Sequence, residues 1–180
     1  MAVKRILGID PGLGCTGYAL VDQDGNAAAP RLVEAGAIRS NAALPLPQRL
    51  EQLHREVSEI IREFQPEALA LEALYSEYRF PRTALLMAHA RGAICLAAAQ
   101  HGIPVWSYPP SRVKSAVVGH GAASKEQVQA MVARVFALPR IPTPNDMADA
   151  MAIALTAHRR GASGTDDTQL ADQQAAETPR

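Results

Sequence analysis

Residues 3–9, 16–21 and about 31–38 are three apolar runs, and each is joined to the next by fewer than ten residues. A parallel strand pair needs a crossover of a dozen or more residues, so these runs can pair only as an antiparallel meander. The first run ends at Asp10-Pro11-Gly12 and the second at Asp22-Gln23-Asp24-Gly25-Asn26, both turn chemistry. From 46 to 64 the apolar positions Leu46, Leu50, Leu53, Val57, Ile60, Ile61 and Phe64 recur at steps of three and four with charges between them, which predicts a helix with one buried face. Pro66 stops it, and Ala68-Leu69-Ala70-Leu71 reads as a short buried strand ending at Glu72.

The pattern continues with a helix over about 83–100, a strand over 103–108, and helices near 125–136 and 145–159. The order β-β-β-α-β-α-β-α-α describes an α/β domain with a mixed, mainly five-stranded sheet flanked by helices. No repeat or linker divides residues 1–160, which are expected to form one unit. Residues 161–180 carry four acids, one base and almost no bulky apolar side chain, and are expected to be a disordered polar and acidic tail.

With 180 residues, 48% hydrophobic and 20% charged, the chain can bury a core of its own. No stretch approaches the roughly 20 apolar residues that span a bilayer. MAVKRILGID meets an acid too early for a secretion signal, so a cytoplasmic location is expected, with no membrane partner. Cys15 and Cys95 lack metal-type spacing and read as two small buried thiols. Net charge is zero, yet residues 79–140 hold eight bases against the single acid Glu126, which makes that region the candidate polyanion face.

Four acids stand where a core would favour apolar residues. Asp10 and Glu72 each terminate an apolar strand, and if those strands are neighbours their carboxylates converge at one end of the sheet, where open α/β sheets place their sites. Asp146 and Asp149 lie three apart, on one face of the last helix. Asp10 alone also fits a turn, and Asp146 fits a helix start in which Thr143 is the cap and Pro144 opens the first turn. Asp149 resists that account, being flanked by Met147, Ala148, Ala150 and Met151, and Glu72 resists it too. Such a cluster repels itself unless hard cations neutralise it. Oxygen donors of this kind suit Mg²⁺ or Mn²⁺, and two such ions can cleave a phosphodiester in line.

Five segments in order carry a resemblance: Gly8-Ile9-Asp10-Pro11-Gly12 with Thr16-Gly17-Tyr18; Leu71-Glu72-Ala73-Leu74-Tyr75; Ala90-Arg91-Gly92; Val113-Lys114 through His120-Gly121; and Asp146-Met147-Ala148-Asp149-Ala150. Across about residues 6–158 the chain resembles the RuvC family of bacterial Holliday junction endonucleases. The resemblance implies a ribonuclease H-like fold and a homodimer. It also implies symmetrical nicking of two opposed strands of a four-way DNA junction in recombination and DNA repair, with RuvA and RuvB as partners. It makes Asp10, Glu72, Asp146 and Asp149 the metal-binding catalytic acids, with two Mg²⁺ or Mn²⁺ ions per site, and brings Lys114 and Lys125 to the scissile region, Lys125 as a catalytic group.

Tyr75, Tyr78 and Phe80 are three of the chain's eight aromatics and are interleaved with Arg79 and Arg82. Aromatics beside arginines can stack on unpaired bases while guanidinium groups hold phosphate. Tyr75 is the better candidate for exposure and stands where the family usually has phenylalanine, while Phe80 equally suits a core. The expected DNA contacts are thus Tyr75, Arg79, Arg82, Arg91, Lys114 and Lys125. Three other readings remain: a ribonuclease H-like enzyme processing ribosomal RNA, an ATP-binding protein of the actin and sugar-kinase type, and a non-catalytic binder of DNA structures. The second normally needs two domains, for which 180 residues leave no room.

Overall fold

The computed structural model describes residues 4–23, 30–73, 81–160 and 165–166. Strands β1 (Lys4–Asp10), β2 (Cys15–Gln23) and β3 (Arg31–Arg39) form the antiparallel meander, with Asp10 opposite Gly17 and Cys15 opposite Arg39. Helix α1 (Leu46–Phe64) then leads to β4 (Ala68–Glu72), which pairs parallel to β1. Helix α2 (Pro81–Gln100) leads to β5 (Val105–Tyr108), parallel to β4. Three helices follow, α3 (Pro110–Val118), α4 (Lys125–Val135) and α5 (Asn145–Arg160), and then a two-residue strand β6 (Thr165–Asp166). The sheet order is β3-β2-β1-β4-β5-β6.

Two features differ from the sequence reading. Helix α3 is additional, because nine residues are too few to display a helical period; its only local marks are Pro110 in the first turn and Gly119 at φ 102° after the last. Within 161–180, the described residues Thr165–Asp166 are extended and pair antiparallel with β5. Without them β5 would present a row of free backbone N–H and C=O groups, which an extended segment can satisfy.

Each face of the sheet buries its own core. Leu7, Ile9, Leu20, Leu69 and Leu71 pack under α1 and α2, while Ile6, Ala19, Ala68, Ala70 and Trp106 pack under α3, α4 and α5. Alternation along β1 and β2 thus serves two apolar layers, as expected of strands covered on both sides. Helix α5 is buried along most of its length, from Ala148 to Ala157 apart from Asp149, and it rests on two glycines. A Cβ on Gly8 would lie 2.4 Å from the Ala150 carbonyl oxygen, and one on Gly17 would lie 2.0 Å from that of Asp146. Bare backbone at these two points lets the helix touch the sheet.

Away from the site, one buried carboxylate ties the meander together. Asp22, 3% exposed, accepts from Arg5 at 2.7 and 2.9 Å and from Arg31 at 2.8 Å, while Arg5 Nη1 also donates to the Phe64 carbonyl at the end of α1. The Arg5 hydrogen bonds hold the Asp22 carboxyl below its ordinary range. That contribution is present above the unfolded value near pH 4 and is lost as pH falls through the lower folded value. Asp22→Ala is expected to remove about 2 kcal/mol, a fall in Tm of roughly 4–8 °C in thermal melts at neutral pH, and to blunt the acid sensitivity. A variant melting with the parent would show that the ion pairs are solvated surface contacts.

Candidate active site

Because β1 and β4 pair in the register Ile9↔Leu71, their carboxyl ends bring Asp10 and Glu72 side by side. Helix α5, seated on Gly8 and Gly17, adds Asp149 from the other layer. These three acids line a cleft of about 350 Å³ together with Lys114 from α3 and Lys125 from α4, with Pro110, Val113, Val128 and Ala152 completing it. Lys125 Nζ lies 2.7 Å from Asp149 Oδ2, with the two side chains 54% and 22% exposed. Its helix begins with a capping box, in which the Ser124 hydroxyl accepts from the Gln127 N–H and the Ser124 N–H donates to the Gln127 side chain.

The loop after Asp10 is fastened from three sides. Thr16, almost fully buried, donates its hydroxyl to the Gly12 carbonyl at 2.7 Å. The Leu13 carbonyl accepts from Ser40 Oγ and, at 3.1 Å, from Arg49 Nη2. Asp10 therefore sits on a fixed strand end followed by a fixed turn.

Electrostatics in the cleft record the crowding of acids. Burial first, then Asp149, Glu72 and Asp146, push Asp10 from 3.8 up to about 7, with Lys125 pulling the other way. Burial and then Asp149 raise Glu72, while Lys125 and Lys114 oppose. The hydrogen bond to Asp149 raises Lys125. Asp146 stands apart from the cleft lining yet acts on both Asp10 and Lys125, and its carboxylate meets the Cys15 thiol, which is half-buried rather than buried as its sequence suggested. Among the described residues, no three His, Cys, Asp or Glu side chains are drawn together into a ready ligand set.

A hard cation nevertheless fits the donors. They are carboxylate oxygens, and Asp149, Glu72 and Asp146 add, after burial, to the upward push on Asp10, a crowding of negative charge that a bound cation would relieve.

The remaining expected site residues fall in different places. Tyr75 and Arg79, with Tyr78 and Phe80, lie outside the described residues. Arg82 is exposed in the first turn of α2. Arg91 is half-buried and donates Nη1–H to the Glu72 carbonyl at 2.8 Å and Nη2–H to Ser107 Oγ at 2.7 Å. These two bonds tie the guanidinium of Arg91 to the ends of β4 and β5. The sequence alone gives Ser107 and Cys15 no place at the site, and it shows Gly8 and Gly17 only as members of family segments, without their role under α5. Only the glycines carried a local signal, as isolated glycines inside apolar strands.

A mixed sheet with acids at the ends of two adjacent parallel strands, crossed by a helix bringing further acids, defines a ribonuclease H-like fold carrying a nuclease-type carboxylate cleft. Residues 6–158 match the family model described as crossover junction endodeoxyribonuclease RuvC. The chain belongs to the RuvC family. It is 50% identical over 155 residues to the RuvC of Rhodopirellula baltica, covering 85% of each chain. It is also 47% identical over 150 residues to that of Pelotomaculum thermopropionicum, covering 83% of this chain and 90% of the relative. Among solved structures it is similar to Thermus thermophilus RuvC in complex with a Holliday junction substrate, with a TM-score of 0.83 and 37% identity over 91% of this chain and 98% of the other.

Proposed function

We propose that this crossover junction endodeoxyribonuclease resolves four-way DNA junctions by hydrolysing one phosphodiester on each of two opposed strands, with Asp10, Glu72, Asp146 and Asp149 holding Mg²⁺ or Mn²⁺. The observation that carries this reading is the cleft that Asp10, Glu72 and Asp149 line together with Lys114 and Lys125. When bound, such ions supply an acidified water and stabilise charge on the leaving oxygen. The chain's own part is to hold the acids on a rigid strand-and-helix frame and to place two ammonium groups where a phosphate enters. Lys125 shares its charge between Asp149 and that phosphate, and Lys114 lines the same cleft. Tyr75 and Arg79, with Arg82 at the start of α2, extend the contact toward unpaired bases at the crossover.

Two opposed cuts require two sites, and a second copy of the chain supplies the other. Helix α2 supports this arrangement because it is apolar on more than one side. It buries Ala90, Ile94, Ala97 and Ala98 inward while leaving Leu85 at 63%, Leu86 at 36% and Leu96 at 53% exposed. A helix of that character needs a cover on its outer face. RuvA and RuvB enter as further partners through the family resemblance. Among the described residues no helix is long and apolar enough to cross a membrane.

The test uses a labelled mobile four-way junction, the matching linear duplex and a hairpin RNA, each with Mg²⁺, Mn²⁺ or a chelator. Paired symmetrical nicks in the junction alone, requiring metal, are the expected result. Cutting of the RNA would instead assign a processing nuclease, and binding without cleavage under every condition would assign a structural binder.

A further inference from the structure

Glu72 reaches the cleft from the last residue of β4, one position beyond the final β1–β4 pair at Ile9↔Leu71. At that point the ladder on one side of the strand has ended, and the backbone carrying the carboxylate needs another hold. On the β5 side it is held by the Ala73 N–H, which donates to the Tyr108 carbonyl at 2.9 Å. The Glu72 carbonyl is held by Arg91, which also grips the fully buried Ser107 one residue before Tyr108. One guanidinium thus clamps the ends of β4 and β5 together from α2.

We propose that Arg91 is a positioning residue for Glu72 and that its anchor is Ser107; this rests on the junction-cleaving reading above. The planar fork explains why arginine stands there. Two N–H vectors fixed relative to each other set the spacing of a carbonyl and a hydroxyl on adjacent strands, whereas the flexible ammonium of lysine can satisfy either acceptor without fixing both. Displacing a reacting or ligating group by about 1 Å lowers a rate by about 10²-fold, so a clamp on the backbone of Glu72 acts on cleavage without touching DNA.

Arg91→Lys, Arg91→Met and the milder Ser107→Ala are compared with the parent in three measurements. These are single-turnover junction cleavage against Mn²⁺ concentration, junction affinity in chelator at several salt concentrations, and thermal melting. Asp22→Ala, which weakens the fold away from the site, is the control for a purely structural effect. The expected result is cleavage slowed about 10- to 100-fold by both Arg91 variants and less by Ser107→Ala. The Mn²⁺ requirement should rise severalfold, affinity should stay within about twofold with the parent salt slope, and lysine should give no rescue over methionine. Asp22→Ala should lower Tm and leave the Mn²⁺ requirement unchanged.

Weakened binding with the salt slope reduced by about one, restored by Arg91→Lys, would make Arg91 a phosphate ligand and overturn the proposal. So would parent cleavage and parent metal requirement in all three variants. A parent protein that leaves the junction uncut would instead defeat the functional reading itself, and the positioning role with it.

Discussion

Replacing Asp10 by asparagine is expected to stop junction cleavage, to leave junction binding intact, and to make the chelator-treated protein more stable. Loss of one ligand from the carboxylate cluster removes several kcal/mol of charge stabilisation in the reaction, about 10³-fold in rate or more. Binding rests on the basic and aromatic groups and should change little. The gain in stability follows from the carboxyl being pushed up to about 7, by burial above all and then by Asp149, Glu72 and Asp146. Between about pH 4 and 7 the folded protein keeps a proton that the unfolded chain has lost, so stability falls as pH rises through that window, and the full penalty stands above it.

The shift caps this penalty at about 4 kcal/mol, and solvent in an open cleft reduces it to about 1–3 kcal/mol. The neutral amide of the asparagine variant carries none of it. In EDTA the variant should melt roughly 3–8 °C above the parent at pH 8 and together with it below pH 4. Mn²⁺ should close the gap by stabilising the parent more than the variant. A variant that cut at the parental rate, or a melting difference independent of pH, would remove Asp10 from the site.

The conflict at Asp10 is legible in the sequence because it is local: a charged residue closes a run of Ile6, Leu7 and Ile9. Glu72 after Leu69 and Leu71 carries the same mark. Helix α1 is legible to the residue, since its apolar steps and Pro66 define both ends. What escapes a sequence reading depends on contacts across the chain. Arg91 counts there as one base among eight in a basic stretch, and only the β4–β5 register reveals that its donors go to Glu72 and Ser107. Cys15 reads as an inert thiol until β2 brings it to Asp146. Asp146 itself fits a capping acid, since local spacing says nothing of Asp10, on which its charge acts in the fold. Helix α3, which supplies Lys114, is too short to show a period and lies hidden in an apolar stretch.

Gly17 joins the fold most directly to the site, and Gly17→Ala should disable the enzyme from a position that carries no functional group. The residue pairs with Asp10 on one side and Ala37 on the other, so its strand is held in the middle of the meander and cannot move away. Its missing Cβ is where the start of α5 rests. A methyl there would lie 2.0 Å from the Asp146 carbonyl oxygen, 2.3 Å from the carbonyl carbon and 2.9 Å from the Met147 nitrogen, all backbone atoms with no flexible end to swing aside. Ordinary contact requires the first turn of α5 to lift by roughly 1 Å or more, which carries Asp146 and Asp149 away from Asp10 and Glu72. Cleavage should fall about 10²-fold, and the strain should remove about 1–3 kcal/mol, lowering Tm by roughly 3–10 °C while junction binding persists. Gly14→Ala is the control: Gly14 is exposed in the turn between β1 and β2, its added methyl meets nothing within 4 Å, and the variant should melt with the parent. If Gly17→Ala melted and cut like the parent, α5 would not be seated on β2, and the meeting of its two acids with those of β1 and β4 would need another cause.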